Sequence, residues 1–252
     1  MTEAAERPFD RDWLERVLRS TEGKCVLVGG QALAFWADRF RIAPLRTKSE
    51  DAFVTRDADF LGTRESVLAL ARATAGRAHF PHQRALTSLV GQVSIAAGGD
   101  AFLNIDVLHR LLGPTAEGVL RRAQMVQLGE VEFLVMHPID VLHSLVENLA
   151  RVKDKQTAEG VAQVRLAVQV ARDFILEVAP QGSRGQRQAL RAVERIAEIA
   201  TTGSGKKVTR KFGVDLLIAV PAKAVTSRSF HEKRWPALLR KLVSVHKTPP
   251  RD

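Results

Sequence analysis

From Phe9 to Ser20 the apolar residues Trp13, Leu14, Val17 and Leu18 recur at helical spacing, and Asp10 stands where an N-cap would, so an opening amphipathic helix is expected. Lys24 to Val28 is a short apolar run that stops at Gly29-Gly30, and Gln31 to Phe40 resumes helical spacing with Leu33, Phe35 and Trp36. The expected order is strand, glycine turn, helix. After a polar loop at Arg46 to Asp51, the run Asp57-Ala58-Asp59-Phe60-Leu61 alternates acidic and apolar residues at the period of a strand, which puts both carboxylates on one side. A helix is expected from Arg64 to Ala75. Gln92 to Ala97 and Phe102 to His109 read as a hairpin around Gly98-Gly99-Asp100, and Gln124 to Leu128 and Val131 to Met136 flank a turn at Gly129-Glu130.

Past His137-Pro138 the pattern is helical: Ile139 to Arg151, Ala158 to Val178 and Gly185 to Ala200, with shorter pieces at Val214 to Val220 and Glu232 to Val245. Pro180 to Gly185 and Thr201 to Gly205 read as helix connections. The expected organisation is a core of mixed sheet and flanking helices over residues 1–137, including the N-terminal helix, and a helical, basic domain over 138–252.

Composition refines this picture. A chain of 252 residues with 45% hydrophobic content can bury a core. The single cysteine, Cys25, lies in an apolar run and is expected to be a buried, unreactive thiol. No signal-peptide pattern and no apolar stretch of spanning length is present, so a cytoplasmic protein without a membrane partner is expected. The net charge of +10 is uneven: residues 1–150 hold 17 Lys/Arg against 19 Asp/Glu, and residues 151–252 hold 21 against 9. Such a basic second part suits a polyanion such as RNA, although a solvated surface explains it equally well. Arg184, Arg187, Arg191 and Arg195 make one basic face of a helix.

The chemistry-bearing residues occur in the order Gly29-Gly30, then Thr55, Asp57 and Asp59, then Asp106 in Leu103-Asn104-Ile105-Asp106-Val107. Two acids at i and i+2 on a strand, completed by a third on a neighbouring strand, form a set of hard oxygen ligands suited to Mg²⁺, with Mn²⁺ as an alternative. Gly29-Gly30 allows close backbone approach, and the following helix would direct its first N–H groups, with Gln31, at a phosphate. Each element alone has an ordinary explanation: a common turn, the outer face of an edge strand, a solvated strand residue.

These residues resemble the polymerase-beta-like nucleotidyltransferase superfamily, whose pattern is an apolar strand, a Gly-Gly or Gly-Ser turn, an acid-x-acid strand and a later third acid. Val28-Gly29-Gly30-Gln31-Ala32-Leu33-Ala34 and Met136-His137-Pro138-Ile139-Asp140-Val141-Leu142 look most like the bacterial abortive-infection or minimal nucleotidyltransferase groups. The resemblance, over residues 20–175, implies a metal-dependent transferase that moves an NMP from an NTP such as ATP. Asp57, Asp59 and Asp106 would be metal ligands and catalytic residues, and Gly29-Gly30 the triphosphate turn. It also implies an acceptor that is RNA (for instance tRNA), protein or a small molecule, and a toxin-like role with a cognate antitoxin or other protein partner. The lysine that related toxin-like enzymes carry on the helix after Pro-x-Asp has no counterpart here, and Lys153 or Lys155 would take its place at the phosphates. Relative to the family pattern, Arg46 to Arg56 is an insertion. A protein of the same fold that binds nucleotide or RNA without turnover is the alternative.

Three other signals are set aside. Thr202-Gly203-Ser204-Gly205-Lys206-Lys207 lacks the leading glycine and the hydroxyl residue of a phosphate loop. His79 with His82, and His137 with His143, have no partners that complete a zinc set. No nucleophile elbow or Ser-His-Asp order supports a hydrolase.

Overall fold

The computed structural model describes residues 5–6, 11–21, 23–42, 57–96, 98 and 101–246. Thr55 and the segment Arg46 to Arg56 lie outside the described residues. The chain divides into two compact units: the described residues within 1–35 and 46–141, and those within 36–45 and 142–252.

The first unit holds a mixed sheet of eight strands among the described residues. They are β1 (Ala5–Glu6), β2 (Val26–Leu27), β3 (Asp57–Leu61), β4 (Arg77–His79), β5 (Leu89–Ala96), β6 (Ala101–Leu108), β7 (Gln124–Leu128) and β8 (Val131–Val135). The order is β4-β5-β6-β3-β2-β8-β7, and β1 also pairs with β6. β3 runs parallel to β6 and β2 parallel to β8, while β2 and β3 are antiparallel, as are β5 and β6. Alternation decides what this sheet buries. Ala58, Phe60, Val93, Ile95, Ile105 and Val107 are buried, and the residues between them are polar. The helices α1 (Arg11–Thr21) and α3 (Arg64–Thr74) pack on each other, α1 also on β8 and α3 on β5. Their apolar stripes explain this: Val17 and Leu18 on α1, and Val67 and Leu70 on α3, are buried.

The mixed sheet, the flanking helices and the helical C-terminal region follow the hydrophobic pattern. Several elements do not. β4 and α4 (Ala116–Arg122) are too short to show a period. β5 begins at Leu89, three residues before the expected Gln92. Gly203–Phe212 is a helix where a connection was expected, because Thr202 caps it: the Thr202 Oγ1 accepts from Gly205 N at 3.0 Å.

In the second unit the helices are α6 (Ala158–Val178), α7 (Gly182–Thr201), α8 (Gly203–Phe212) and α9 (Trp235–His246). The division between units falls inside α2 (Gly29–Arg39) and α5 (Pro138–Arg151), so each of these helices contributes to both. On α6, Val164, Leu166, Val168 and Ala171 are buried, as an apolar stripe should be, and α6 packs on α7. Trp36 sits edge-on to Phe174 at 6.5 Å, and Arg39 pairs with Glu177 at 2.9 Å. The expected helix at Val214 to Val220 is a 3-10 turn, Leu216–Ala219, and a π-helical turn, Phe230–Arg234, leads into α9.

The segment that looks like a phosphate loop has a packing role. Ser204 donates to the Glu147 carboxylate at 2.9 Å, Lys207 donates to the Ala150 carbonyl at 2.6 Å, and a Cβ on Gly205 would strike the Ile199 carbonyl. The two hydrogen bonds tie α8 to the C-terminal half of α5, and Gly205 lies against the end of the preceding helix at Ile199.

Candidate functional site

The register between β3 and β6 sets Asp57 opposite Asn104, Ala58 opposite Ile105 and Asp59 opposite Asp106. Register partners on neighbouring strands project to the same face, and the face alternates at each residue. Asp57, Asp59 and Asp106 therefore share one face of the sheet, and the buried Ala58, Phe60 and Ile105 take the other. All three acids are half-buried.

β2 brings the glycine turn to the same place. The Val28 N–H donates to the Asp59 carbonyl at 2.9 Å, and the next residue, Gly29, opens α2 with φ +63°. A Cβ on Gly29 would collide with the Asp59 Oδ2. Glycine is needed here twice over, for the left-handed backbone and for the close approach of a carboxylate. Gly30 is half-buried and the Gln31 side chain is buried.

The polar face extends beyond the acids. On β5, Gln92 is the register partner of Asp106 and Ser94 that of Asn104; on β4, His79 partners Gln92 and Arg77 partners Ser94. The Gln92 Nε2 donates to Asp106 Oδ1 at 2.8 Å, and the Ser94 Oγ donates to Asn104 Oδ1 at 3.0 Å. Two polar rows thus cross four strands: His79, Gln92, Asp106 and Asp59 in one, and Arg77, Ser94, Asn104 and Asp57 in the other. Sequence reasoning missed Gln92, Ser94 and Arg77 as members of this face. The signal was present in the alternation Gln92-Val93-Ser94-Ile95, set against Asn104-Ile105-Asp106-Val107.

The donor chemistry suits a hard divalent cation, and the close approach of Gly29 leaves the Asp59 carboxylate packed against backbone rather than side chain. Among the described residues, however, no group of three or more His, Cys, Asp or Glu side chains is gathered closely enough to hold a metal ion. What the face offers is the register pair Asp59 and Asp106, with Asp57 one pleat away.

Other candidate residues lie elsewhere. Lys153 and Lys155 are exposed on the short turn Lys153–Lys155 of the second unit. Arg184, Arg187 and Arg191 are exposed on α7, and Arg195 is half-buried. His137 is buried, and its Nδ1 accepts from Ile139 N at 3.2 Å, a role at the start of α5. Next to it, the fully buried Asp140 receives two bonds from Arg122, at 2.9 Å from Nε and 3.0 Å from Nη2. This fork ties the end of α4 to α5, and no spacing rule in the sequence pointed to it. Cys25 is buried, and burial pushes its thiol up to about 12.

No family model and no curated protein matches the chain. Among solved structures, the crystal structure of JHP933 from Helicobacter pylori is similar over 93% of this chain and 94% of that one, at 12% identity and a TM-score of 0.38. A likeness so remote informs neither the chemistry nor the partners.

Proposed function

We propose that the chain is a metal-dependent nucleotidyltransferase that moves a nucleoside monophosphate from an NTP onto a hydroxyl-bearing acceptor. The observation that carries this reading is the β3–β6 register, which puts Asp59 beside Asp106 on one polar face, with Gly29 at the start of α2 packed on Asp59. Acid-x-acid followed by a lone third acid is two unrelated surface features unless the strands are adjacent and in a register that puts the acids on one face.

In this reading the triphosphate lies at the first turn of α2, whose opening N–H groups lack intrahelical acceptors and carry the positive end of the helix dipole. Asp59 and Asp106, with Asp57, would hold Mg²⁺ or Mn²⁺, and the ion would supply neutralisation of the charge that develops on the leaving pyrophosphate. The acceptor oxygen bonds to the α-phosphorus as the bond to pyrophosphate breaks, and its proton passes to the Asp106 carboxylate. RNA is the acceptor class that the charge of residues 151–252 favours.

A second reading, a nucleotide- or RNA-binding protein without turnover, is favoured by the absence of a three-ligand cluster among the described residues. Each α-labelled NTP, incubated with Mg²⁺, total RNA and the purified chain, separates the two. Label transferred by the wild type and lost in Asp57→Asn, Asp59→Asn and Asp106→Asn supports the enzyme. Binding of nucleotide or RNA with no transferred label, unchanged by Mg²⁺ and by the three substitutions, supports the second reading and overturns the first.

A further inference from the structure

We propose that the C-terminal end of α5, the turn Lys153–Lys155 and the exposed side of α8 form a binding surface for single-stranded RNA, in which Lys153, Lys155, Lys207 and Lys211 contact phosphates and Phe212 stacks on a base. This rests on the preference for RNA given above and needs neither the acids nor turnover.

Three hydrogen bonds within the second unit gather these residues. The Lys207 Nζ donates to the Ala150 carbonyl at 2.6 Å, the Lys211 Nζ donates to the Gln156 Oε1 at 2.9 Å, and the Gln156 Nε2 donates to the same Ala150 carbonyl at 3.3 Å. Lys207 and Lys211 lie one turn apart on a single side of α8, and the bonds lay that side along the end of α5 and the turn that carries Lys153 and Lys155. All four lysines are exposed.

A lysine amine at the last carbonyls of a helix is an ordinary C-terminal contact, and that accounts for Lys207 at Ala150. It leaves the concentration of charge unexplained. Elsewhere in this unit Arg39, Arg151, Arg228 and Arg234 face the carboxylates of Glu177, Glu147, Glu232 and Glu194. Among the described residues none of the four lysines is paired with a carboxylate. The segment that forms α8 has four basic residues and no acidic one, and the turn has Asp154 against two lysines. Lys207 and Lys211 each use a donor on a neutral oxygen and keep their charge for an anion. Phe212 selects among polyanions. It is half-buried, and the Lys211 amine lies 5.1 Å from its ring centroid. A base offers a face to such a ring, which polyphosphate or a sulfated sugar does not, and the base must be unpaired to reach it.

The test reads binding of a short fluorescent oligouridine to the full chain by anisotropy across a salt series, in EDTA and without NTP, with thermal melting as the folding control. Wild-type affinity should fall steeply with salt. The double variant Lys153→Gln and Lys155→Gln, whose side chains make no hydrogen bond among the described residues, should melt as the wild type does and flatten the log–log slope by about 1.4. Adding Lys207→Gln and Lys211→Gln should bring the flattening to about 3. Phe212→Leu should weaken binding about tenfold at an unchanged slope. Arg184→Gln, Arg187→Gln and Arg191→Gln, combined on α7, run in parallel. An unchanged slope in both lysine variants overturns this surface, and a slope lost in the α7 variant then leaves the preference for RNA standing. A loss confined to the four-lysine variant, with a lowered melting temperature, marks the lysines as packing contacts and equally overturns it. Wild-type affinity in Phe212→Leu, or equally tight binding of a blunt RNA duplex, overturns the single-strand assignment. If the wild type binds no oligouridine at low salt, the preference for RNA fails first, and the transfer experiment decides the enzyme reading separately.

Discussion

Asp59→Asn changes almost no volume and removes one negative charge, which makes it the sharpest single-residue probe of the site. On the proposed reading it should abolish nucleotide transfer while the fold remains, because a hard anionic ligand would be lost at the point where charge develops. Equal transfer rates would count against the site. Gly29→Ala tests the close approach independently of chemistry. The left-handed φ alone costs a residue with a Cβ about 1–2 kcal/mol, and the collision with the Asp59 carboxylate adds to it, so a markedly lowered urea midpoint is expected. Cys25 carries a pH signature. Its folded thiol titrates near 12 against an ordinary value of 9.0, because burial disfavours the thiolate. The native state therefore resists ionisation that the unfolded chain accepts, and this contribution, fully present below pH 9, is lost as pH rises from about 9 toward 12. Native protein should react with a disulfide reagent far more slowly than urea-unfolded chain, and comparable rates would refute the burial of the thiol.

Three helices begin on the same short device. In Thr115-Ala116-Glu117-Gly118, Thr157-Ala158-Glu159-Gly160 and Thr202-Gly203-Ser204-Gly205 the threonine hydroxyl accepts from the N–H of the glycine three residues on. Each Thr→Ala substitution should cost about 1 kcal/mol. The glycines invert the usual propensity argument. Gly→Ala inside a helix ordinarily stabilises by about 1 kcal/mol, but a Cβ at Gly160 would strike the Lys155 carbonyl and one at Gly205 the Ile199 carbonyl, so both substitutions should destabilise. Chemical denaturation of the two alanine variants decides the sign. The Arg122–Asp140 fork makes a second prediction at this scale. Asp140 is fully buried while the Arg122 side chain is 30% exposed, so the two partners are not equivalent. Arg122→Met strips both guanidinium bonds from a buried carboxylate and should cost about 3–5 kcal/mol; Asp140→Asn leaves a guanidinium that can reach water and should cost less. The order of the two unfolding free energies is the measurement, and the reverse order would refute the account.

Taken as a whole the molecule is electrically lopsided: the first 150 residues are close to neutral and the remaining 102 carry the excess of Lys and Arg. Exposed Arg184, Arg187 and Arg191 lie on a single helix, α7. If they contact a polyanion, affinity for a short RNA should fall steeply with salt, and replacing the three should flatten the log–log slope by about 2. Fluorescence anisotropy across a salt series checks this; an unchanged slope would leave the arginines as a solvated face.

The local periodicities were sufficient for the long helices, for the alternation of β3, β6 and β8, and for the glycine turn, because each depends on side chains a few positions apart in the same chain. They also named Asp57, Asp59 and Asp106 as candidates. Whether those three belong together is a question of register, and register is set by pairing between residues 47 positions apart, where a slip of one residue would have sent Asp106 to the apolar face. The same holds for what periodicity could not see. Gln92 reaches Asp106 only because β5 folds back on β6, Arg122 reaches Asp140 only because the fold brings the end of α4 to the start of α5, and Ser204 and Lys207 meet α5 across more than fifty residues of chain. Sequence spacing therefore decided which residues could act, and the tertiary pairing of strands and helices decided which of them meet.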